Sequence, residues 1–278
     1  MAIISKKEAI LQLGIDEKTF DNYFRIGGEV PCLPRIGNGR FKFDDKVLNN
    51  WKLDREYRTV ILDIADYKRC LDFALAQDAR AYVASDFGSG RQREFGQKIT
   101  NWVKGQLGEI AVKKFFKEKF GTDVELDFEI RDSIVPQDIT AINEKGKART
   151  PRIGVGIKSS KPKSVYLVLG SNEIELPERR SDVYIFCRPD LPDDHLLRLT
   201  RDAVLSFVKG EAYYETYKNE IPVLTPMPCE IVGYCEFDKL EPATEIPGQK
   251  FESGHRYVIK TGLLKHSPVD WRKLIGRL

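Results

Sequence analysis

The sequence predicts a mixed α/β fold, a central sheet flanked by helices and preceded by a small N-terminal module of different character. Three observations predict it. A long helical pattern (about Glu94 to Phe120) leads into a run of short strand patterns; one of these, Asp182-Val-Tyr-Ile-Phe-Cys, is apolar almost throughout, as a central buried strand requires. Helices and further strands then alternate to the end, the mixture expected of helices packed on the faces of a sheet. The first 55 or so residues follow another rhythm, short helices punctuated by glycine and proline.

Composition narrows the possibilities. The chain has 278 residues, enough for one large domain or a small one plus a medium one. Its content, 41% hydrophobic and 31% charged, suits a folded protein and argues against disorder. No apolar run approaches the roughly 18 residues that span a bilayer, and no signal-peptide core follows the first residues, so no membrane partner and a cytoplasmic location are expected. The five cysteines (Cys32, Cys70, Cys187, Cys229, Cys235) lack metal-ligand spacing and read as buried thiols in a reducing compartment. Three dispersed histidines make a structural zinc site unexpected. Net charge is only +3, but seven basic and no acidic residues lie between Lys145 and Lys163, and seven basic against two acidic from Lys250 to Leu278. Such patches on a near-neutral chain suit a polyanion held on one face, or merely solvated loops.

Within the N-terminal module, Ser5 followed by Glu8 reads as a capping box opening a helix through Leu13. Gly14 breaks it, and Asp16 caps a second helix whose apolar face is Phe20, Tyr23 and Phe24, ended by Gly27-Gly28. Gly37-Asn38-Gly39 lies between short alternating runs, a hairpin signal. Asp44-Asp45 caps a third helix ending near Trp51. Helix, tight turn, helix, basic hairpin, helix is the order of a winged helix-turn-helix. The stretches Leu13–Gly28, Leu33–Phe43 and Val47–Trp51 resemble the excisionase and mercury-resistance-regulator type of DNA-binding module. That resemblance implies a recognition helix from about Asp16 to Ile26, with Lys18, Thr19, Asn22 and Arg25 as its polar candidates. It also implies phosphate or minor-groove contacts from Arg35, Arg40 and Lys42 in the wing.

From Asp54 to about Ala84 the spacing of Ile61, Ile64, Tyr67, Leu71, Ala74 and Leu75 predicts a spacer helix. Phe87-Gly-Ser-Gly-Arg-Gln-Arg follows as a basic loop lacking the ending of a P-loop. The next helix has the apolar face Ile99, Trp102, Val103, Leu107, Ile110, Ala111 and Phe115. Gly105 and Gly108 within it each cost about 1 kcal/mol relative to alanine, which predicts close packing against a neighbour. Glu109, beside that face, must be paired, protonated or metal-bound if buried. Strands are expected at Val124–Ile130, Asp138–Ile142, Arg152–Ile157, Val165–Leu169 and Asp182–Cys187. Helices follow at Leu196–Val208 and Ala212–Lys218, strands at Glu230–Tyr234 and Tyr257–Ile259, and a closing helix reaches Ile275.

The most telling stretch is Pro136-Gln-Asp138, opening one strand, and Gly156-Ile-Lys158-Ser-Ser-Lys161, closing the next. With the preceding Glu109 helix, it resembles the restriction-endonuclease-like, PD-(D/E)xK nuclease superfamily over about residues 94–190. The resemblance implies Mg²⁺ as cofactor, Asp138 as a metal ligand, Lys158 as the catalytic lysine and sometimes a helix carboxylate, here Glu109. Hard carboxylate oxygens suit Mg²⁺, which activates water and neutralises developing charge. Lysine adds a point charge that can orient the water or help to deprotonate it. Ser159, Ser160, Lys161 and Lys163 are candidate contacts to a nucleic-acid backbone. The departure is Gly156, where the family has a second carboxylate; Gly156 and Ile157 can offer a metal only backbone. Three explanations stand: Glu109 replaces the carboxylate, the site is altered at Gly156, or the chain binds DNA without cutting it. Glu173 and Glu175 are weaker substitutes. The expected domains are a DNA-binding module (1–55), a helical linker (56–93) and a nuclease domain (94–278). The expectation is a type II restriction enzyme, working as a homodimer on double-stranded DNA. The alternative is a non-catalytic DNA-binding regulator or recombination accessory protein. The C-terminal residues Lys250, Arg256, Lys260, Lys265, Arg272, Lys273 and Arg277 read equally as more DNA surface or as a solubilising tail.

Overall fold

The computed structural model describes residues 2–26, 28–35, 39–79, 94–130, 137–144, 146–207, 210–251 and 254–278. Gly27, the Gly37-Asn38 hairpin tip, the Phe87–Arg93 loop, Pro136 of the Pro-Gln-Asp motif and Lys145 at the head of the basic run lie outside those residues.

The N-terminal module begins with β1 (Ile3–Ser5) and α1 (Lys6–Leu13), and the Ser5–Glu8 capping box forms with its reciprocal bonds. Asp16 caps α2 (Glu17–Asp21), which passes into a wider π-type turn over Asn22–Ile26 instead of continuing as one regular helix. β2 (Lys42–Asp44) pairs antiparallel with β1. The second arm of the expected hairpin pairs with the chain's start, and the hairpin's tip lies outside the described residues. Between its arms, the bonds among the described residues are Leu33 N–H to Lys42 O (2.9 Å) and Arg35 Nε–H to Gly39 O (2.8 Å). α3 (Asp45–Tyr57) runs six residues past the expected end. Ala9, Phe20, Tyr23, Phe24, Val30, Phe43 and Leu48 form the module's own core, closed by Val165.

The single spacer helix is corrected. α3 ends at Tyr57, the β-branched run Thr59–Leu62 forms β3, and α4 covers Ile64–Ala79. Asp63 is the breaker: its carboxylate accepts from the amides of Ala65 (2.8 Å) and Asp66 (3.0 Å), an N-cap that a helix interior has no place for. The buried face of α4 is Tyr67, Cys70, Phe73, Ala74 and Gln77, while Ile61, Ile64 and Leu75 of the expected stripe are exposed. β3 is a strand of the main sheet, so this segment is structural rather than a mere spacer.

α5 (Phe95–Phe120) is buried on nearly every side from Gln106 to Val112 and keeps the expected apolar face. β4 (Asp123–Leu126), β5 (Ile139–Glu144) and β6 (Lys147–Arg149) form an antiparallel sheet. Next come β7 (Val155–Ser159), β8 (Tyr166–Gly170), α6 (Ser171–Glu175) and β9 (Val183–Pro189), the last buried along its whole length. α7 (His195–Leu199), α8 (Arg201–Phe207) and α9 (Glu211–Glu220) lead to β10 (Met227–Glu236). The chain closes with β11 (Glu241–Ala243), β12 (Glu245–Ile246), β13 (Gln249–Lys250), β14 (Arg256–Lys260) and α10 (Pro268–Arg277).

The main sheet has the order β3-β10-β9-β7, with β7 parallel to β9 and the other pairs antiparallel. The larger apolar core unites α4, α5, α10 and one face of this sheet; a second core lies on its other face, under β8 and β14. The class is a mixed α/β fold. β10 bulges at Gly233, where a Cβ would stand 2.8 Å from both Leu264 Cβ and Lys265 O, so only glycine lets that loop close on the strand. The C-terminal helix is anchored by Trp271, Leu274 and Leu278 in the core, and Lys265 and Arg277 both pair with Glu236, while Lys250, Lys260, Arg272 and Lys273 are exposed.

Candidate active site

β7 organises the site through strand alternation. Val155, Ile157 and Ser159 face α5; Gly156 and Lys158 face the opposite side. The α5 side is tight. A Cβ on Gly108 would lie 2.0 Å from Ser159 Oγ and 3.2 Å from Cys187 Cβ, so the close approach expected of Gly108 is present. No described residue comes within 4 Å of the same position on Gly105, so the close approach expected there is not seen among the described residues. Ser159 is likewise corrected as a backbone contact: its Oγ is buried under α5 with no hydrogen-bond partner among the described residues.

Asp138 sits just before β5, at the free edge of β7. Its amide donates to Val155 O (2.9 Å), and one carboxylate oxygen accepts a short bond from the Ile157 amide. Because the N–H and C=O of one strand residue project to the same side, the Ile157 carbonyl also faces this edge. Glu109, only 7% exposed, reaches the same region from α5 and accepts from Gln106 Nε2 (2.8 Å). Burial pushes the Glu109 carboxyl well above its ordinary range, and the negative charges of Asp138 and Asp127 push it further, with Lys158 opposing. Asp138 is raised too, by burial first, against the pull of Lys158 and the Ile157 amide. Three residues from separate segments, Glu109, Asp138 and Lys158, are therefore one electrostatic unit.

Lys158 is about one-third exposed, forms a close ion pair with Glu173 of α6, and lies 6.0 Å from the centre of the Tyr184 ring. Burial would lower its pKa, but Glu173 and Asp138 outweigh it and raise the group above the ordinary lysine value. It remains a cation; with these neighbours it is not a base. Gly156 is closed to a side chain: a Cβ there would lie 2.8 Å from Ser181 Oγ and 3.0 Å from the Tyr184 ring. The Tyr184 ring thus fills the space a second carboxylate would need. Glu173 stands beside Lys158 instead, while Glu175 turns away to His255 Nε2 (2.7 Å).

Several of these groups were missed in sequence. Tyr184 lay inside an apolar strand pattern and carries no local signal. Gln106 was legible in principle, since it lies three residues before Glu109 on one helix. Among the described residues no group of three His, Cys, Asp or Glu side chains is arranged to hold a metal.

The remaining nucleic-acid candidates divide. Lys18, Arg25, Arg35, Arg40 and Lys42 are exposed and Asn22 is half-buried. Thr19 is buried, its hydroxyl and amide both spent on Asp16, so it is a cap partner and not a base contact. Arg25 and Arg35 both lie over the Phe41 ring. Lys163 pairs with Asp16 (3.2 Å), Lys161 touches Asp193 (3.5 Å), and Ser160 Oγ bonds Ser164 Oγ (2.7 Å). Four of the five cysteines are buried, and all are free thiols. No described helix is long and apolar enough to cross a membrane.

Fold and site together define a mixed α/β protein with a buried glutamate and a half-buried aspartate near an ion-paired lysine. No family model matches the chain, and no curated protein and no solved structure does.

Proposed function

We propose that this chain is a Mg²⁺-dependent endonuclease that hydrolyses phosphodiester bonds in double-stranded DNA, a type II restriction enzyme with a restriction-endonuclease-like domain. The N-terminal module is its winged helix-turn-helix, and the working form is a homodimer. The observation that carries this reading is the convergence of Glu109, Asp138 and Lys158. Burial and the Asp138 charge raise the Glu109 carboxyl, and burial raises Asp138 as well, an arrangement that a divalent cation relieves. Gln106 Oε1, buried next to Glu109 and without a partner among the described residues, is a further acceptor that a metal-bound water would satisfy. Mg²⁺ needs only one or two protein carboxylates, completing its shell with water and substrate oxygens. Asp138 and Glu109 would hold it, with the Ile157 carbonyl as a third oxygen. When bound, Mg²⁺ supplies water activation and charge neutralisation.

The protein's own groups have separate tasks. Lys158, kept protonated by Glu173, offers its charge to the phosphate rather than taking a proton from water. The Ile157 amide fixes Asp138 so that one carboxylate oxygen is left for other partners. Exposed Lys18, Arg25, Arg35, Arg40 and Lys42 would engage the duplex.

The test is incubation of the full chain with plasmid and phage DNA in Mg²⁺. Discrete fragments are expected, with rates reduced at least 100-fold in Asp138→Ala, Glu109→Ala and Lys158→Ala. Gly156→Glu, which must displace Tyr184, should not increase cleavage. Specific binding without cleavage in Mg²⁺ or Mn²⁺ would support the non-catalytic alternative, and cleavage appearing only in Gly156→Glu would identify a disabled site.

A further inference from the structure

A cleft of about 360 Å³ opens beside the first half of α5, lined by Gln97, Asn101, Lys104, Lys161, Asp193 and His195 among others. Lys161 follows the carboxyl end of β7, and Asp193 and His195 follow that of β9, the parallel neighbour. The crevice outside the carboxyl ends of parallel strands is where open α/β sheets bind ligands.

The wall of the cleft is rigid. His195 is 1% exposed, with Nδ1 against Tyr67 Oη (2.7 Å) and Nε2 against Thr100 Oγ1 (2.9 Å). Burial and then Lys104 pull its pKa below the ordinary histidine value, so it stands neutral and ties α7 to α4 and α5. Charge in the cleft comes from lysine. Lys104 is half-buried and makes no hydrogen bond or ion pair among the described residues, while burial and the facing Lys161 lower its pKa against the opposing charge of Asp193. Lys161 has only a 3.5 Å contact with the exposed Asp193, too loose and wet to neutralise it. The two ammonium groups share the exposed carboxylate of Asp193, so the cleft keeps an excess of positive charge and calls for an anion. The side-chain amides of Gln97 and Asn101, one turn apart on α5, add neutral donors. Lys161 follows Lys158 by three residues, roughly 10 Å of extended chain, so this cleft lies beyond the end of the strand that carries the candidate active-site lysine.

We propose that this cleft binds one backbone phosphate of the DNA strand passing the candidate active site, with Lys104 and Lys161 as its paired cations. The proposal rests on the DNA-cleaving function proposed above. It is tested by titrating the full chain against a fluorescent duplex in EDTA over a salt series. Neutralising one phosphate contributes about 0.9 to the slope of log K against log salt. Lys104→Ala and Lys161→Ala should each weaken binding and reduce the slope, and the double variant should lose no more than about 0.9, because both serve one phosphate. Lys104→Arg should keep both affinity and slope. Unchanged affinity and slope in both alanine variants would overturn the proposal, as would a loss near 1.8 in the double variant, which means two phosphates. Should Lys104→Ala melt below the parent protein, the exposed Lys161→Ala decides alone. Inorganic phosphate that stabilises the parent but not the variants, with duplex slopes unchanged, would assign the cleft to a free anion and also overturn it. No metal is present in these titrations. Reduced slopes without cleavage in Mg²⁺ would leave the cleft standing and remove the nuclease, whereas cleavage with unchanged slopes would do the reverse.

Discussion

Glu109 illustrates at the residue scale how a site can be disfavoured by the fold that holds it. Its folded-state pKa lies well above 4.5, so the native state binds a proton more readily than the unfolded chain. Without metal, stability should therefore fall as pH rises from about 4.5 toward the folded pKa. Glu109→Gln removes that slope, and at pH 8 in EDTA it should melt higher than the parent protein. Each kcal/mol relieved raises Tm by about 2–4 °C in a chain of roughly this size. Mg²⁺ should stabilise the parent and not the variant; equal melting of both at pH 5 and pH 8 would remove the strained-carboxylate account. Asp138, Lys158 and Glu109 were all legible as residues, because each stands at the end or on the apolar flank of a periodic segment. Tyr184 over Gly156 and Glu173 against Lys158 were not, since both pairings cross between strands or elements that only the sheet brings together.

At the scale of elements, α5 separates two glycines that look alike in sequence. Gly105 has no described residue near its missing Cβ, so Gly105→Ala should stabilise the protein by about 1 kcal/mol through helix propensity. Gly108 meets Ser159 Oγ and Cys187, so Gly108→Ala should destabilise it by about 1–3 kcal/mol through overpacking. Urea denaturation of the two variants measures both, and effects of the same sign would contradict the packing described. α5 was legible through its long period, as were α1 with its capping box and β9 with its continuous apolar run. The break at Asp63 was hidden because Ile61 and Ile64 fit a helical period by chance. The Thr59–Leu62 run became a strand because β10 offered it an edge, and tertiary pairing of that kind outweighs local periodicity.

Across the whole molecule, the N-terminal module is joined to the sheet by a buried charge network. Glu230 of β10, 4% exposed, pairs with Arg55 and Arg58 at the end of α3 and with Arg188 of β9; Arg188 also holds Glu29 (2.5 Å). Burial alone would raise Glu230, but Arg188, Arg55 and Arg58 outweigh it and hold the group at about 2. A depressed folded pKa means that this stabilisation is present above the ordinary value of 4.5 and lost as pH falls from there toward 2. Glu230→Gln leaves buried guanidinium charge uncompensated and should cost about 3–5 kcal/mol at pH 7, with a flatter acid limb in urea titrations. A loss below 1 kcal/mol would show that the network is not what joins the two parts. From sequence alone came the mixed α/β class, the order of most elements and the Asp138–Lys158 pair, because periodicity, caps and apolar runs act locally. Only the tertiary structure decided that Gly156 has no room for a carboxylate, that Ser159 and Thr19 face inward, and that the linker is part of the sheet. Those outcomes depend on which surfaces meet across the sheet, and no local pattern encodes the partner.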